Sequence, residues 1–122
     1  MAKPIQHTMS GLETPVTLIN AFSVPMSQEA LFLEHWKANA RCMSGAPGFL
    51  RARMHRAVSE QAELTYINVA EWESGLALDE ARRSPEWLES VRAMNEDPGL
   101  TFTARPMPYQ VVVDVAPGDP VR

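Results

Sequence analysis

At 122 residues, 45% of them apolar and 21% charged, the chain has the make-up of one soluble globular domain rather than a disordered or membrane-embedded segment. A net charge of −4 argues against the clustered Lys and Arg of a nucleic-acid surface, and a single cysteine, Cys42, excludes an internal disulfide. No stretch has the apolar length of a secretory leader or a membrane span, so the cytoplasm is the expected compartment.

Met1 to Pro15 carries two prolines and no apolar run, and reads as a loose N-terminal arm ahead of a domain over 16–115 and a tail over 116–122. Val16 to Val24 alternates as a strand does, with Val16, Leu18, Asn20, Phe22 and Val24 on one face. Asn20 interrupts that apolar row, either as an amide bonded to backbone at the core edge or as a polar group in a pocket. Pro25, Met26 and Ser27 stop the strand and start a helix to about Ser44, with Ser27 the expected N-cap. Phe32, Leu33, Trp36, Ala40 and Met43 form its apolar stripe; Trp36 reads as core and His35 as a boundary residue. Gly45 and Pro47 close it.

Gly48 to Val58 predicts a second strand, with Phe49, Arg51, Arg53 and His55 on one face and Leu50, Ala52, Met54 and Arg56 on the other. Histidine as a residue type titrates near neutral pH, which makes His55 the candidate for proton transfer. An exposed strand histidine beside two arginines is the equal alternative. Ser59 to Ala62 is a polar turn, and Glu63 to Trp72 returns as an antiparallel third strand. There Leu64, Tyr66, Asn68, Ala70 and Trp72 share a face, and its carboxamide and indole N–H must be satisfied internally or offered to a ligand.

Ser74 caps a short helical segment, Gly75 to Arg82, and Ser84 with Pro85 starts a better helix. Its Trp87, Leu88, Val91 and Met94 can lie on a sheet, with Arg92 beside them. Asn95 to Gly99 ends that helix, Leu100 to Pro108 reads as a connector, and Tyr109 to Val115 as the last strand. No repeat, phosphate-cradling Gly-rich loop, metal-ligand spacing or nucleophile signature is present in the sequence. The order β-α-β-β-α-α-β predicts an α+β fold with helices on one face of a four-stranded antiparallel sheet. The other face is expected to carry Thr17, Ile19, Ala21, Leu50, Ala52, Met54, Ile67, Val69 and Val112 or Val113. A symmetric homodimer packed sheet to sheet would bury that apolar patch.

Val16-Thr-Leu-Ile-Asn20, Pro47-Gly-Phe-Leu50 and above all Val69-Ala-Glu-Trp-Glu-Ser74 resemble the antibiotic biosynthesis monooxygenase family, over roughly Val16 to Val115. The resemblance implies a ferredoxin-like subunit of a dimeric α/β barrel, a fold that hosts cofactor-free oxygenases, haem-degrading enzymes and proteins of other roles. Against the haem-degrading branch Asn20 matches, while that branch's Trp falls at Ala81 and its axial His near Ser90. Against the branch that oxidises anthrones without a cofactor, His55, Asn68, Trp72 and Arg92 match catalytic positions, and a family Tyr is replaced by Leu78. The resemblance thus implies a monooxygenase with no cofactor and no metal, acting with O2 on a hydroquinone, anthrone or polyketide-like phenol. His55 would accept the proton and Asn68, Trp72 and Arg92 would stabilise the oxyanion, with Asn20, Phe22, Tyr66 and Leu78 as substrate contacts. Leu78 also leaves open a non-catalytic small-ligand-binding member, and haem binding is the third alternative.

Overall fold

The computed structural model describes residues 13–63 and 65–122, so most of the expected N-terminal arm, and Leu64 of the third predicted strand, lie outside the described residues. The elements in order are β1 (Val16–Ser23), a 3-10 turn (Met26–Gln28), α1 (Glu29–Ser44), β2 (Phe49–Arg56), β3 (Tyr66–Trp72), α2 (Gly75–Ala81), α3 (Pro85–Glu96) and β4 (Thr103–Tyr109). All strand pairs are antiparallel, in the order β2-β3-β1-β4, and helix residues pack on one face only. This is the ferredoxin-like α+β arrangement that the sequence predicts. No described helix is long and apolar enough to cross a membrane.

The period-two pattern of the two central strands is what orients the sheet. Val16 pairs with Trp72, Leu18 with Ala70, Asn20 with Asn68 and Phe22 with Tyr66, and these rows share the helix-covered face. Along β3 every second residue, Tyr66, Asn68, Ala70 and Trp72, is buried. The core on this face comes in two pieces. Phe22, Val24, Phe32, Tyr66, Met94 and Leu100 form one cluster, while Val16, Ala70, Trp72, Leu78 and Ala81 form the other. The Asn20–Asn68 row belongs to neither cluster and falls between their rows on the strands.

Helix starts follow the capping chemistry at two of three places. Ser74 Oγ accepts from the Ala77 N–H and Ser84 Oγ from the Trp87 N–H, each at 3.1 Å, with Pro85 in the first turn of α3. Ser27 does not cap α1: it lies inside the 3-10 turn, and Gln28 precedes the helix without a side-chain cap. Gln28 is engaged elsewhere, its Oε1 accepting from the Thr101 N–H at 2.8 Å.

Two strand expectations are corrected. In β2, Phe49 pairs with Trp72 but Arg51 pairs with Glu71, so a bulge at Leu50 resets the alternation. Ala52 and Met54, expected on the uncovered face, therefore join Phe49 on the helix side, and Arg51, Arg53 and His55 turn to the uncovered face. The last strand is Thr103–Tyr109, not Tyr109 to Val115; Val111, Val112, Val113 and Val115 are exposed and unpaired to the sheet. Strand propensity favours the valines over a segment with Pro106 and Pro108. Yet β4 is an edge strand, and two prolines spaced by two both turn their missing N–H to the free edge. Consequently the uncovered face carries Thr17, Ile19, Ala21, Ile67 and Val69 flanked by Arg51, Arg53 and His55 on one side and by Arg105, Met107 and Tyr109 on the other.

Candidate functional site

Strands β1 and β3 place Asn20 and Asn68 opposite each other, and Trp72 follows Asn68 by two pleats on the same face. Trp72 is 1% exposed and Asn68 9%. The Oδ1 atoms of both asparagines and Nε1 of Trp72 are buried without a hydrogen-bond partner. Buried polar groups are nearly always paired, because leaving one unmade costs about 1–3 kcal/mol. Three such atoms on one sheet face mark a place built for something other than the fold.

They line a cavity of about 260 Å³ between the sheet and α1 and α3, near the lower end of ligand-pocket sizes. Its walls are largely aromatic: Phe22, Phe49 and Phe102, and all three tryptophans, Trp36, Trp72 and Trp87. Phe49 meets the Trp72 indole edge-on with ring centres 5.3 Å apart, which fixes the indole plane. Exposed lining residues, Asn95 on α3 with Ala104 and Pro106 on β4, form its mouth. Asn39 also lines the cavity but is committed, accepting from Ser90 Oγ at 2.5 Å and donating to Met94 Sδ at 3.3 Å. Among the described lining residues Arg82 is the one ionisable group, and none is a carboxylate or an imidazole.

The structure brings together Asn20, Phe22, Asn68 and Trp72 of the residues singled out from the sequence. It separates the others. His55 pairs with Ile67 on the uncovered face, exposed, its Nδ1 3.1 Å from the Ile67 carbonyl. Arg92 is exposed on α3, held by Glu89 and by Glu96 at 2.9 Å. Tyr66 is buried in the core with its hydroxyl donating to Glu29 Oε1 at 2.5 Å, and Leu78 packs in the cluster that backs Trp72. Neither Tyr66 nor Leu78 lines the cavity.

Asn39, Arg82, Trp87 and Asn95 were not legible as site residues. The spacing of Trp36, Asn39, Ala40 and Met43 on α1 could have revealed Asn39. Arg82 follows a helix of 7 residues, too short for a face to be read from its period. No group of three or more metal-ligating side chains is found among the described residues.

Comparison with known proteins agrees with this architecture. A model of the antibiotic biosynthesis monooxygenase family matches residues 15–93. A candidate monooxygenase from Shewanella loihica PV-4 is 31% identical over 85% of this chain and 100% of that one, with a TM-score of 0.68. MhuD, solved as a mutant with two manganese protoporphyrin IX bound per active site, is 27% identical over 83% of this chain and 98% of its own, with a TM-score of 0.65. SnoaB, a cofactor-independent oxygenase from Streptomyces nogalater, shares the fold at a TM-score of 0.70, with 24% identity over 85% of this chain and 98% of that one. No curated protein sequence matches the chain significantly. With its family model spanning well over half of the sequence, the chain belongs to the antibiotic biosynthesis monooxygenase family.

Proposed function

We propose that the protein is a cofactor-independent monooxygenase that oxidises a small electron-rich aromatic, a hydroquinone, anthrone or polyketide-like phenol, with O2. The observation that carries this reading is the trio of buried, unpartnered atoms, Asn20 Oδ1, Asn68 Oδ1 and Trp72 Nε1, facing an aromatic-walled cavity. Such a substrate supplies the electrons itself. Loss of a proton gives an enolate that adds to O2 at carbon, and the hydroperoxide so formed eliminates water to leave a carbonyl. One oxygen atom stays on the carbon, the other leaves as water, and the substrate loses two hydrogens.

The chain's own groups suit the anionic stage of that sequence. Trp72 Nε1–H can donate to the developing oxyanion, while the two amide oxygens accept from ring hydroxyls and fix the ring in the plane of the aromatic walls. In a mostly apolar enclosure each of these bonds is stronger than it is in water. His55 and Arg92, which do not line the cavity, have no part in this scheme, and the proton acceptor it calls for is water admitted at the mouth. The same reading takes the chain as a homodimer in the cytoplasm, paired through the uncovered sheet face, where Ile19, Ile67 and Val69 are half-buried without a covering element among the described residues.

Haem does not fit this lining. Position 81 is Ala, Ser90 is bonded to Asn39, and no His, Cys or Tyr is found among the described lining residues. Of the two thioethers, Met94 already accepts from Asn39, which leaves Met43 as a weak ligand by itself. A second reading, a non-catalytic binding protein for the same ligand class, is favoured by one observation: the described lining offers no proton acceptor of the carboxylate or imidazole type. An oxygen electrode separates the two. Added anthrone should consume one O2 per molecule oxidised, rapidly with wild type and far more slowly with Asn68→Ala; tight binding with no uptake above background would favour the binding protein.

A further inference from the structure

We propose that the ligand of this cavity carries an anionic oxygen, a carboxylate or an ionised phenol, and that Arg82 is the residue that selects for it. The inference deepens the oxygenase reading, and rests on it for the site. Arg82 is the one charged side chain among the described lining residues, and it stands in a wall otherwise made of apolar groups and carboxamides. An anion that enters meets one cation and no carboxylate in the lining itself; the guanidinium's ion-pair partner, Asp79, stands 3.3 Å from Nη2 outside the lining. The apolar walls screen that attraction less than open water does.

Position on the fold adds a second argument. Ala81, the residue before Arg82, belongs to the same buried cluster as Trp72, so the backbone brings Arg82 to the cavity wall beside the strand end that carries Trp72. Both are donors. The unpartnered acceptors, Asn20 and Asn68, lie further along the strands, and the backbones of Asn68 and Trp72 are separated by four residues, about 13 Å along the strand. A cation and an N–H donor with two amide acceptors in one lining suit an aromatic that carries both an anionic oxygen and a hydroxyl. Arg82 is itself held in place. Its Nη2 donates to Asp79 Oδ1 at 3.3 Å, and Asp79 is not among the lining residues, so the remaining donors of the five-donor guanidinium are free to turn to a ligand.

The test uses two anthraquinones without phenolic hydroxyls that differ only by a ring carboxylate, titrated into wild type, Arg82→Gln and Arg82→Lys at one pH. Calorimetry gives the affinities, and quenching of tryptophan fluorescence reports the site, since all three tryptophans line it. Wild type should bind the carboxylate at least about tenfold tighter, as expected of a charge-assisted hydrogen bond, and the preference should shrink with added salt. Arg82→Gln should abolish the preference while leaving affinity for the uncharged ligand in place, which also shows that the variant is folded, and Arg82→Lys should keep part of it. Equal affinities in wild type, an undiminished preference in Arg82→Gln, or no binding of either ligand overturns the inference. O2 uptake is read separately with the corresponding anthrones. An Arg82-dependent preference without uptake removes the oxygenase reading and keeps the anion site, whereas uptake without a preference does the reverse.

Discussion

Asn20 and Asn68 face each other across β1 and β3, and both turn a buried Oδ1 without a hydrogen-bond partner into one cavity. Each amide is a cost that the fold carries for a ligand. Asn68→Leu keeps the branched shape and removes the unpaired group, so it should raise stability by about 1 kcal/mol while abolishing ligand binding. Urea titration checks the first, with a higher midpoint and an unchanged slope. A loss of stability of that size would mean that the amide is bonded within the fold.

Gly48 ties the Pro-Gly-Phe-Leu segment to the helical layer. Its φ is +85°, and a Cβ added there would lie 2.5 Å from Ala77 Cβ on α2. Gly48→Ala should therefore destabilise by about 2 kcal/mol, through backbone strain and displacement of α2 together. A thermal melt within a degree of wild type would contradict that packing.

Tyr66 is expected to be structural. Burial first, and then its hydrogen bond to Glu29, raise the phenol above its ordinary range. Because the folded-state value exceeds the unfolded one, the protonated phenol's contribution is complete below about pH 10 and is lost as pH rises through the folded value. Tyr66→Phe should cost about 1 kcal/mol at neutral pH, flatten the alkaline fall in stability and leave O2 uptake unchanged. A large drop in uptake would return the hydroxyl to the site.

Asp97 closes α3 onto α1. His35 Nε2 donates to Asp97 Oδ2 at 2.8 Å, the Gly99 N–H donates to Oδ1 at 2.8 Å, and these contacts, His35 first, hold the carboxyl below its usual range. A depressed folded value stabilises above the unfolded value near 4, and that contribution disappears as pH falls through the folded one. Asp97→Asn should therefore lower stability at neutral pH and converge with wild type in acid. A constant gap across the acid range would contradict it.

How far the sequence could be read depended on where backbone geometry overrode local pattern. Alternation was enough to put Asn68 and Trp72 on one face of β3 and Asn20 with the apolar row of β1, while the register that sets Asn20 opposite Asn68 came from the structure. The bulge at Leu50 was invisible, since a one-residue insertion leaves composition unchanged while moving Ala52 and Met54 to the helix side and Arg51, Arg53 and His55 to the uncovered face. His55 shows the limit of periodicity: it tells which residues share a face of one strand, not which face of the next strand they join. Register decides that, and here it aligns His55 with Ile67 rather than with Asn68. The valines beyond Tyr109 had the stronger strand propensity, yet the edge position went to a segment with two prolines. Arg82 entered the cavity through the packing of α2, which no local signal announces.

The most direct test of the central claim is O2 consumption by metal-free protein given an anthrone, with Trp72→Phe measured beside wild type. Phe keeps an aromatic ring in that buried slot but removes the indole donor, and should lower the rate about a hundredfold, as loss of a single oxyanion donor does. Wild-type uptake no faster than the protein-free reaction, or an undiminished rate in Trp72→Phe, would contradict the account.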